Sequence, residues 1–377
     1  MIVLANIAYK FRIYPNDKQK SMFAKTFGCV RLVYNKFLDR RIKQYKKDKT
    51  SVSYNTCAKE MAEMKKDKEN SFLKEVDSIA LQQSLRHLET AFCNFFKLPK
   101  SGFPRFKSKK DTTRSYSTVL VNGNISISNR GLRLPKIGEV RLKQHRKIPL
   151  HYKLKSVTVS QNASGKYYAS ILFEYEKQVS NKDVKSFLGL DFSMKGLYKD
   201  SNGQEAEYPR YYRRKEARLK KEQRKLSLMK KGSKNRDKQR KKLARVHEKV
   251  ANCRKDFLHK LSRKLANAYD CICIEDLDMK AMSKALNFGK SVCDNGWGMF
   301  TTFLKYKLEE MGKRLVKIDR FFASSQICSE CGCKNSEVRN LEVRSWLCLD
   351  CGKYHDRDTN AAINIRNEGM RVANALT

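Results

Sequence analysis

Two pairs of cysteines have the spacing of a metal site. The pairs are Cys328 with Cys331 and Cys348 with Cys351; a glycine follows each pair, and sixteen residues separate the pairs. A two-residue gap lets both thiolates of a pair reach one ion, and the glycine permits the tight turn that follows. Four thiolates leave no open coordination position, so the pattern predicts a structural zinc ion. Cys333 is interpreted as a spare thiol, and the repeated pattern disfavours two unrelated reduced pairs.

Three separated acids have the setting of a second, catalytic metal site. Asp191 and Glu275 each end a short apolar run, and Asp358 precedes a segment with helical periodicity. Hydrolysis of a phosphodiester through two divalent ions requires carboxylates on rigid elements, and such oxygen ligands favour magnesium or manganese. A single acid at the end of a strand is more often a solvated loop residue or a helix cap. The hypothesis of a catalytic metal site therefore depends on the three acids together. Asp356 is an alternative to Asp358. The expected helix start favours Asp358.

The charge of the chain predicts a polyanionic partner. The 377 residues include 81 lysines and arginines against 39 acids, a formal charge of +42. Neutralising phosphates releases counterions, so nucleic acid fits this balance better than a small acidic substrate. The apolar run 1–5 is too short for a signal peptide or anchor, and no other stretch reaches the length of a spanning helix. We therefore expect no membrane association, and the scattered cysteines indicate a reducing compartment such as the cytoplasm.

Other enzyme classes lack their sequence signatures. The chain contains no phosphate-binding loop of the P-loop type and no Gly-x-Ser-x-Gly turn, so ATP hydrolysis and acyl chemistry are unsupported. His259 and His355 lie near no nucleophile signature and are interpreted as packing or hydrogen-bonding residues.

The first half of the chain combines a strand, helices and a β-rich segment. Residues 6–14 alternate in the manner of a strand, and apolar residues recur at helical spacing over 16–98, which predicts about three helices. Short β-type runs follow from residue 99 to about 180. These patterns predict a small antiparallel barrel or sheet that the first strand completes.

The second half predicts the elements that position the acids. Strands are expected at 187–191, 271–275 and 315–318, and helices at 297–311 and 359–369. Between the first two strands, residues 210–250 contain 19 lysines and arginines and four acids. A charge run of this density is typical of disorder, but apolar residues at heptad spacing and a turn at Gly232 favour a basic helical hairpin.

Several motifs resemble TnpB proteins, the split RuvC-like nucleases of bacterial insertion sequences. The cysteine pairs belong to this resemblance, together with Gly189-Leu-Asp-Phe-Ser-Met-Lys-Gly-Leu-Tyr198, Ile274-Glu-Asp-Leu277 and Asp356-Arg-Asp-Thr-Asn-Ala-Ala362. The N-terminal half contributes Tyr9-Lys-Phe-Arg-Ile-Tyr-Pro15, Arg31-Leu-Val-Tyr-Asn35, Leu81-Gln-Gln-Ser-Leu-Arg-His-Leu88 and Gly102-Phe-Pro-Arg-Phe-Lys107. The resemblance covers nearly the whole chain. Ala323 departs from it, because proline is expected before the Ser-Ser pair, and a looser loop is predicted there.

The resemblance implies an RNA-guided DNA endonuclease related to the type V CRISPR effectors. It implies a guide and scaffold RNA from the transposon end, and a double-stranded DNA target next to a short flanking motif that the protein reads. Asp191, Glu275 and Asp358 are implied as the catalytic magnesium or manganese ligands, which selects Asp358 over Asp356. Action at the nucleoid of a bacterial cytoplasm is expected, with one or two chains for each RNA.

The resemblance also implies a multidomain α+β fold. A wedge-like β-barrel is expected from residues 1–15 and 99–180, with a helical recognition lobe inserted at 16–98. An RNase H-like (RuvC) α/β nuclease domain is expected from 181–324 and 353–377, with the zinc ribbon inserted at 325–352.

Four residues are candidates for nucleic-acid contacts. Glutamine can bond adenine through two hydrogen bonds, so Gln82 or Gln83 is a candidate for reading the flanking motif. Arg105 and Lys107 alternate with phenylalanines and are candidates for holding a nucleic-acid backbone with stacking support. The alternatives are an ordinary helix surface for the glutamines and a solvated basic loop for the cations.

Two other functions remain open. A DNA transposase is disfavoured because its usual order of acids ends in glutamate, whereas this chain has Asp, Glu and Asp in sequence order. A catalytically silent RNA- or DNA-binding regulator of transposition is compatible with the composition.

Overall fold

The protein is described by a computed structural model that covers residues 2–99, 101–111, 114–178, 184–285, 289, 294–340 and 342–375, without the side chains of residues 280 and 285. The described chain forms two compact units, of which the first is Ile2–Gln178 and the second contains everything from residue 184 onward. The domain boundary predicted at 180/181 lies outside the described residues. None of the described helices is long and apolar enough to span a membrane.

The first unit contains the three helices predicted from the periodicity. They are α1 (Asp17–Asp48), α2 (Tyr54–Met64) and α3 (Ser78–Lys97), and a 3-10 helix spans Lys68–Glu75. Asn16 begins α1 with a reciprocal cap, because its side chain accepts from the backbone of Gln19 and its own N–H donates to the Gln19 side chain. Asp77 caps α3 by accepting from the backbone of Ile79 at 3.0 Å.

Seven strands of the first unit form one antiparallel sheet in the order β2-β6-β7-β1-β5-β4-β3. They are β1 (Ile2–Tyr14), β2 (Arg114–Val119), β3 (Ser126–Ile127), β4 (Gly131–Leu134), β5 (Gly138–Lys143), β6 (Lys153–Gln161) and β7 (Tyr167–Gln178). Alternate residues of β1, such as Phe11 and Ile13, face a core shared with α1 and α3. Among the described residues, each strand pairs only with its neighbours in this order. The result is a sheet with β2 and β3 at its edges.

The second unit is built on a four-stranded sheet of order β11-β10-β8-β9. The strands are β8 (Phe187–Phe192), β9 (Tyr198–Asp200), β10 (Cys271–Glu275) and β11 (Arg314–Ile318). Its helices are α4 (Tyr211–Leu228), α5 (Lys234–Ala268), α6 (Met279–Ala285), α7 (Trp297–Glu310) and α8 (Arg357–Asn374). The strands β8, β10 and β11 are parallel, so their carboxyl ends share one edge.

Helices cover both faces of this sheet. Apolar residues of β8 and β10 pack on one face against α5 and α7, and Cys271 and Cys273 face α8 on the other. Gly189 and Gly369 permit the close approach of α8, because a Cβ at either position would collide with the opposing element. Continuous apolar strands of this kind are typical of a sheet that is buried on both faces.

The basic segment folds as the predicted helical hairpin of α4 and α5. Gly232 adopts a φ of 86° in the turn, and Ser233 caps α5 by accepting from the backbone of Arg236 at 3.1 Å. Leu219 and Leu243 pack between the two helices. Apolar residues on the inner faces therefore order a segment whose composition alone is typical of disorder.

The paired cysteines lie in the segment 327–356, which leads into α8 and which we name the cysteine hairpin. The second pair lies between the strands β12 (Ser345–Leu347) and β13 (Tyr354–Asp356). The first pair lies in a turn closed by a bridge between Ile327 and Lys334, and a 3-10 helix (Ser336–Arg339) follows it. Helix α8 begins at Arg357, two residues before the predicted start, because Asp356 caps it by accepting from the backbone of Thr359 at 2.8 Å. It also continues five residues beyond the predicted end at 369.

Candidate functional site

The three predicted acids come together at one edge of the second unit's sheet. Leu190 of β8 lies opposite Ile274 of β10, so Asp191 and Glu275 follow side by side. Asp358 lies in the first turn of α8, which packs against both strands. Burial raises the pKa of Asp191 well above its ordinary range, and the carboxylates of Glu275 and Asp358 raise it further, against the opposing charge of Arg357. Such mutual repulsion is what a divalent cation relieves.

Glu275 is held by a residue that the sequence analysis assigned only to a loop. Burial raises the pKa of Glu275, and this rise is opposed by the Ser324 hydroxyl, which donates to its Oε1 at 2.6 Å. The neighbouring Asp276 is paired with Lys317 at 2.7 Å and Arg320 at 3.2 Å, and these contacts lower its pKa. Asp276 is therefore engaged in ion pairs.

Asp356 and Asp358 have different environments. The Asp356 carboxylate accepts from Thr359 and is paired with Lys199 at 2.8 Å; although partial burial opposes it, these bonds lower its pKa. Asp358 has a looser contact, with Arg344 at 3.7 Å, and its charge acts on Asp191. Asp356 occupies the cap position and Asp358 lies within the helix, so the predicted helix start after Asp358 was wrong.

Replacing Asp191 with asparagine is expected to raise the melting temperature near neutral pH in the absence of divalent ions. An acid with a raised folded-state pKa keeps its proton in the folded protein at pH values where the unfolded chain has lost it. Stability therefore falls as the pH rises from the ordinary carboxyl pKa through the raised value. The neutral amide avoids this loss, and each kcal/mol corresponds to about 2–4 °C in a unit of this size.

Differential scanning calorimetry with a chelator, near neutral pH and at mildly acidic pH, measures this effect. The advantage of Asp191→Asn is expected to shrink at the acidic pH, and added magnesium is expected to stabilise the wild type more than the variant. Asp356→Asn is the matched control and is expected to melt at or below the wild-type temperature, because it loses the Lys199 ion pair. Equal melting temperatures for Asp191→Asn and wild type under all conditions would contradict the prediction.

The four predicted zinc ligands form a compact cluster. Their Sγ atoms all lie within 4.8 Å of one another; Cys328 and Cys351 are 3.6 Å apart, as are Cys331 and Cys348. Tetrahedral zinc with bonds of about 2.3 Å places its sulfurs about 3.8 Å apart, so this donor set fits the ion. Among the described residues, Cys333 is not a member of this cluster.

The two cysteine turns have matching geometry. Gly332 donates its N–H to the Cys328 carbonyl and Gly352 donates to that of Cys348, both at 2.9 Å. Both glycines have positive φ values, of 80° and 69°, which a side chain would strain. The His355 Nε2 lies 3.0 Å from the Cys328 sulfur, an outer contact of the kind that orients a metal ligand. His259 stacks on Phe303 at 3.8 Å, in agreement with its predicted packing role.

Two asparagines of α8 join the cysteine hairpin to the acids. Asn364 donates to the carbonyls of Ser324 at 2.8 Å and Ile327 at 2.6 Å, and Asn360 donates to Ile327 at 2.7 Å. Ser324 in turn donates to Glu275. Sequence reasoning gave these asparagines no role, although their i, i+4 spacing puts them on one face of the helix, where buried amides require partners.

The candidate nucleic-acid residues lie in the first unit. Gln82 is exposed and Gln83 half-buried on α3, and Arg105 is exposed. The backbone of Lys107 is held by Asn35 of α1 through bonds of 2.8 and 2.9 Å, and its Nζ lies 4.0 Å from the Tyr34 ring centroid. The loop is therefore fixed to the helices.

Exposed aromatic side chains lie in and beside this loop. Phe103 makes edge contacts with Phe92 and Phe95, and the side chains of Phe96 and Phe106 are 77% and 54% exposed. Exposed rings beside cations are suited to stacking with unpaired bases.

Three family models match different parts of the chain. Residues 170–286 match a family described as "Probable transposase" (OrfB_IS605), and residues 297–365 match "Cas12f1-like, TNB domain". Residues 1–50 match "Helix-turn-helix domain" (HTH_OrfB_IS605), although in this structure they comprise β1 and the long helix α1.

Full-length relatives extend these matches. The chain is 39% identical to "Putative RNA-guided DNA endonuclease" of Streptomyces pristinaespiralis, over 97% of this chain and 90% of the relative. It is 31% identical to "Putative RNA-guided DNA endonuclease InsQ" of Escherichia coli K12, over 97% and 92%. The solved structure titled "Cryo-EM structure of the Cas12f1-sgRNA-target DNA complex" shares the fold at a TM-score of 0.53 and 14% identity, covering 97% of this chain and 99% of that one. From the identity and coverage of the two sequence relatives, the chain belongs to the TnpB (OrfB_IS605) family of insertion-sequence proteins.

Proposed function

We propose that this protein is an RNA-guided DNA endonuclease of an insertion sequence. The observation that carries the proposal is the convergence of Asp191, Glu275 and Asp358, with a raised pKa at Asp191 caused by burial and by the other two acids. Such an arrangement is costly to the fold and is typical of a functional site. The names of the two full-length relatives support the same activity.

The three acids are the proposed catalytic ligands of magnesium or manganese. The bound ions would supply a nucleophilic water and would stabilise the leaving oxygen of the cleaved phosphodiester. Ser324 fixes the orientation of Glu275 through its hydroxyl. Arg344 lies 3.7 Å from Asp358, so its guanidinium can contact a phosphate at the edge of the site. The thiolates of Cys328, Cys331, Cys348 and Cys351 are the proposed ligands of a structural zinc ion.

The proposed partners are a guide RNA from the transposon end and a double-stranded DNA target. The charge of +42 supplies the sequence-independent part of the affinity, and the basic hairpin of α4 and α5 is a proposed phosphate-contacting surface. Gln82 or Gln83 is proposed to read the flanking motif, and Arg105 and Lys107 to contact a nucleic-acid backbone. Base pairing with the guide would read the rest of the target.

The proposed domains follow the two units. The sheet of the first unit is a wedge-like domain, with its helices as a recognition lobe, and the second unit is an RNase H-like (RuvC) nuclease domain with an inserted zinc ribbon. In a bacterial cell the protein would act in the cytoplasm, on the nucleoid.

Guided cleavage is testable with the purified chain and RNA expressed from the end of its element. Sequencing the copurified RNA identifies the guide, and a duplex library with the matching target beside a randomised flank is then incubated with magnesium. We expect cleavage of matched targets with a restricted set of flanks, and none without RNA or with a mismatched target. RNA binding without cleavage of any library member would favour the silent regulator, and joined DNA ends would favour a transposase.

A further inference from the structure

A buried dipeptide, Asp294–Asn295, immediately precedes Gly296 and helix α7. The two side chains are only 4% and 2% exposed, although both are polar. Burial of this kind is costly without partners, so the contacts of these residues indicate their role. Neither residue belongs to the acidic cluster or to the cysteine site.

Asn295 holds the turn that follows Asp191. Its Nδ2 group donates to the carbonyl of Ser193 at 2.9 Å and also to the carbonyl of Gly196. These two carbonyls belong to the turn between β8 and β9, which begins two residues after Asp191. One amide group therefore fixes both ends of the turn.

An aromatic contact adds to this attachment. The ring of Phe192, the residue after Asp191, makes an edge contact with Trp297 at a centroid distance of 5.4 Å. Trp297 is buried at the start of α7. The chain on the C-terminal side of Asp191 is thus held by the beginning of α7.

Asp294 fixes the other side of the dipeptide to the basic hairpin. Its Oδ1 accepts from the backbone of Tyr212 in the first turn of α4 at 3.1 Å and lies 3.6 Å from Arg254 of α5. Gly296 has a φ of 76° and lies against Arg254 and Leu258, where a Cβ would come within 3.2 Å of both side chains. The backbone that carries Asn295 therefore has little freedom to move.

We propose that Asn295 is a positioning residue for Asp191, which sets the place of this carboxylate by holding the turn behind it. The inference rests on the proposed function, because it assigns Asp191 to metal binding. Metal ligands must be held closely to their productive geometry, and loss of an outer contact typically reduces metal affinity or activity by about 10–100-fold. Aspartate at position 295 would lose both donated bonds and would put a negative charge against two carbonyl oxygens.

The test uses the full chain with its copurified RNA and the variants Asn295→Ala, Asn295→Asp and Asn295→Gln. Binding of manganese is measured by electron paramagnetic resonance, and cleavage is measured as a function of magnesium concentration. For alanine and aspartate we expect about tenfold weaker manganese binding and partial recovery of cleavage at high magnesium. Glutamine retains both donors on a longer stem and is expected to lie between these variants and the wild type.

Asn124→Ala is the matched control, because Asn124 also holds a turn by donating to Val119 and accepting from Val121, but in the first unit. It is expected to keep the wild-type manganese affinity. Folded Asn295 variants with wild-type manganese affinity would overturn the inference while leaving the proposed function intact. A wild type that does not cut DNA and binds manganese no more tightly than Asp191→Ala, measured with the same RNA, would overturn both. If Asn295→Ala and Asn295→Asp do not fold, the test rests on Asn295→Gln. A wild-type manganese affinity in this variant, together with full cleavage at low magnesium, would count against the inference.

Discussion

Replacing Asp191 with alanine is expected to reduce guided DNA cleavage by more than about a thousandfold, which corresponds to a loss of about 4 kcal/mol of transition-state stabilisation. Asp191 is the acid whose charge interacts with both Glu275 and Asp358, so its removal takes away the carboxylate that links the proposed metal ligands. Glu275→Gln and Asp358→Asn are expected to cause losses of similar size. Single-turnover cleavage of a matched duplex at saturating guide RNA measures the effect.

Asp276→Ala is the matched control for this loss. Asp276 directly follows Glu275, but its carboxylate is paired with Lys317 and Arg320. Ion pairs between exposed groups contribute about 0–1 kcal/mol, so this variant is expected to cut within about tenfold of the wild type. Equal losses in Asp191→Ala and Asp276→Ala would show that the assay responds to charge or folding in general, and the assignment of the catalytic acids would be wrong.

The amount of RNA that copurifies with the protein distinguishes a loss of RNA binding from a loss of DNA cleavage. The variant replaces one carboxylate of the second unit, while the formal charge of +42 comes from basic residues throughout the chain. RNA recovery for Asp191→Ala is therefore expected to equal that of the wild type. Wild-type protein that binds RNA and shows the same absence of cleavage as Asp191→Ala would instead identify a silent regulator.

Local patterns were sufficient to predict that Asp191 and Glu275 lie side by side and that the four thiols cluster, whereas the choice of Asp358 over Asp356 came from the family resemblance. Asp191 and Glu275 end apolar runs, and parallel pairing of such runs brings their ends to one edge. The cysteine spacing by itself allows all four thiolates to reach one ion, and the four sulfurs do cluster. In both cases each residue stands in a short local pattern, either an apolar run that ends in an acid or a Cys-x-x-Cys-Gly turn.

Other features depend on contacts between residues far apart in the chain. The strands β4 and β5 are short, with four and six residues, and their pairing partners define them more than their own periodicity does. Asn364 and Asn295 each hold carbonyls that lie 37 to 102 residues away, which no spacing rule contains. Likewise, only the bond from Thr359 to Asp356 shows which of two neighbouring aspartates caps α8.

Replacing Cys328 with serine is expected to abolish zinc binding by the four proposed thiolate ligands and to unfold the cysteine hairpin. Structural zinc contributes folding free energy directly, and this hairpin has a small core of its own that includes Val338 and Trp346. Metal analysis of the purified protein is expected to give about one zinc per wild-type chain and almost none in the variant. The fluorescence of Trp346, which is 6% exposed in the folded protein, is expected to shift to longer wavelength as this side chain becomes exposed to water. The chain has one other tryptophan, Trp297, which also contributes to the spectrum.

Cys333→Ser is the matched control, because this thiol lies in the same hairpin but outside the cluster. It is expected to retain zinc and the fluorescence of the wild type. Folded wild-type protein without zinc would contradict the assignment, as would an equal loss of zinc in both serine variants.

Loss of zinc is also expected to impair cleavage, because the hairpin is connected to Glu275 by hydrogen bonds. Cys328 directly follows Ile327, whose carbonyl binds Asn364; the same amide holds Ser324, which donates to Glu275. Asn364→Ala breaks this connection without touching a thiol and is therefore expected to retain zinc while reducing cleavage by about 10–100-fold. If Asn364→Ala cuts at the wild-type rate while Cys328→Ser does not, the cysteine hairpin affects cleavage in some way other than by orienting Glu275.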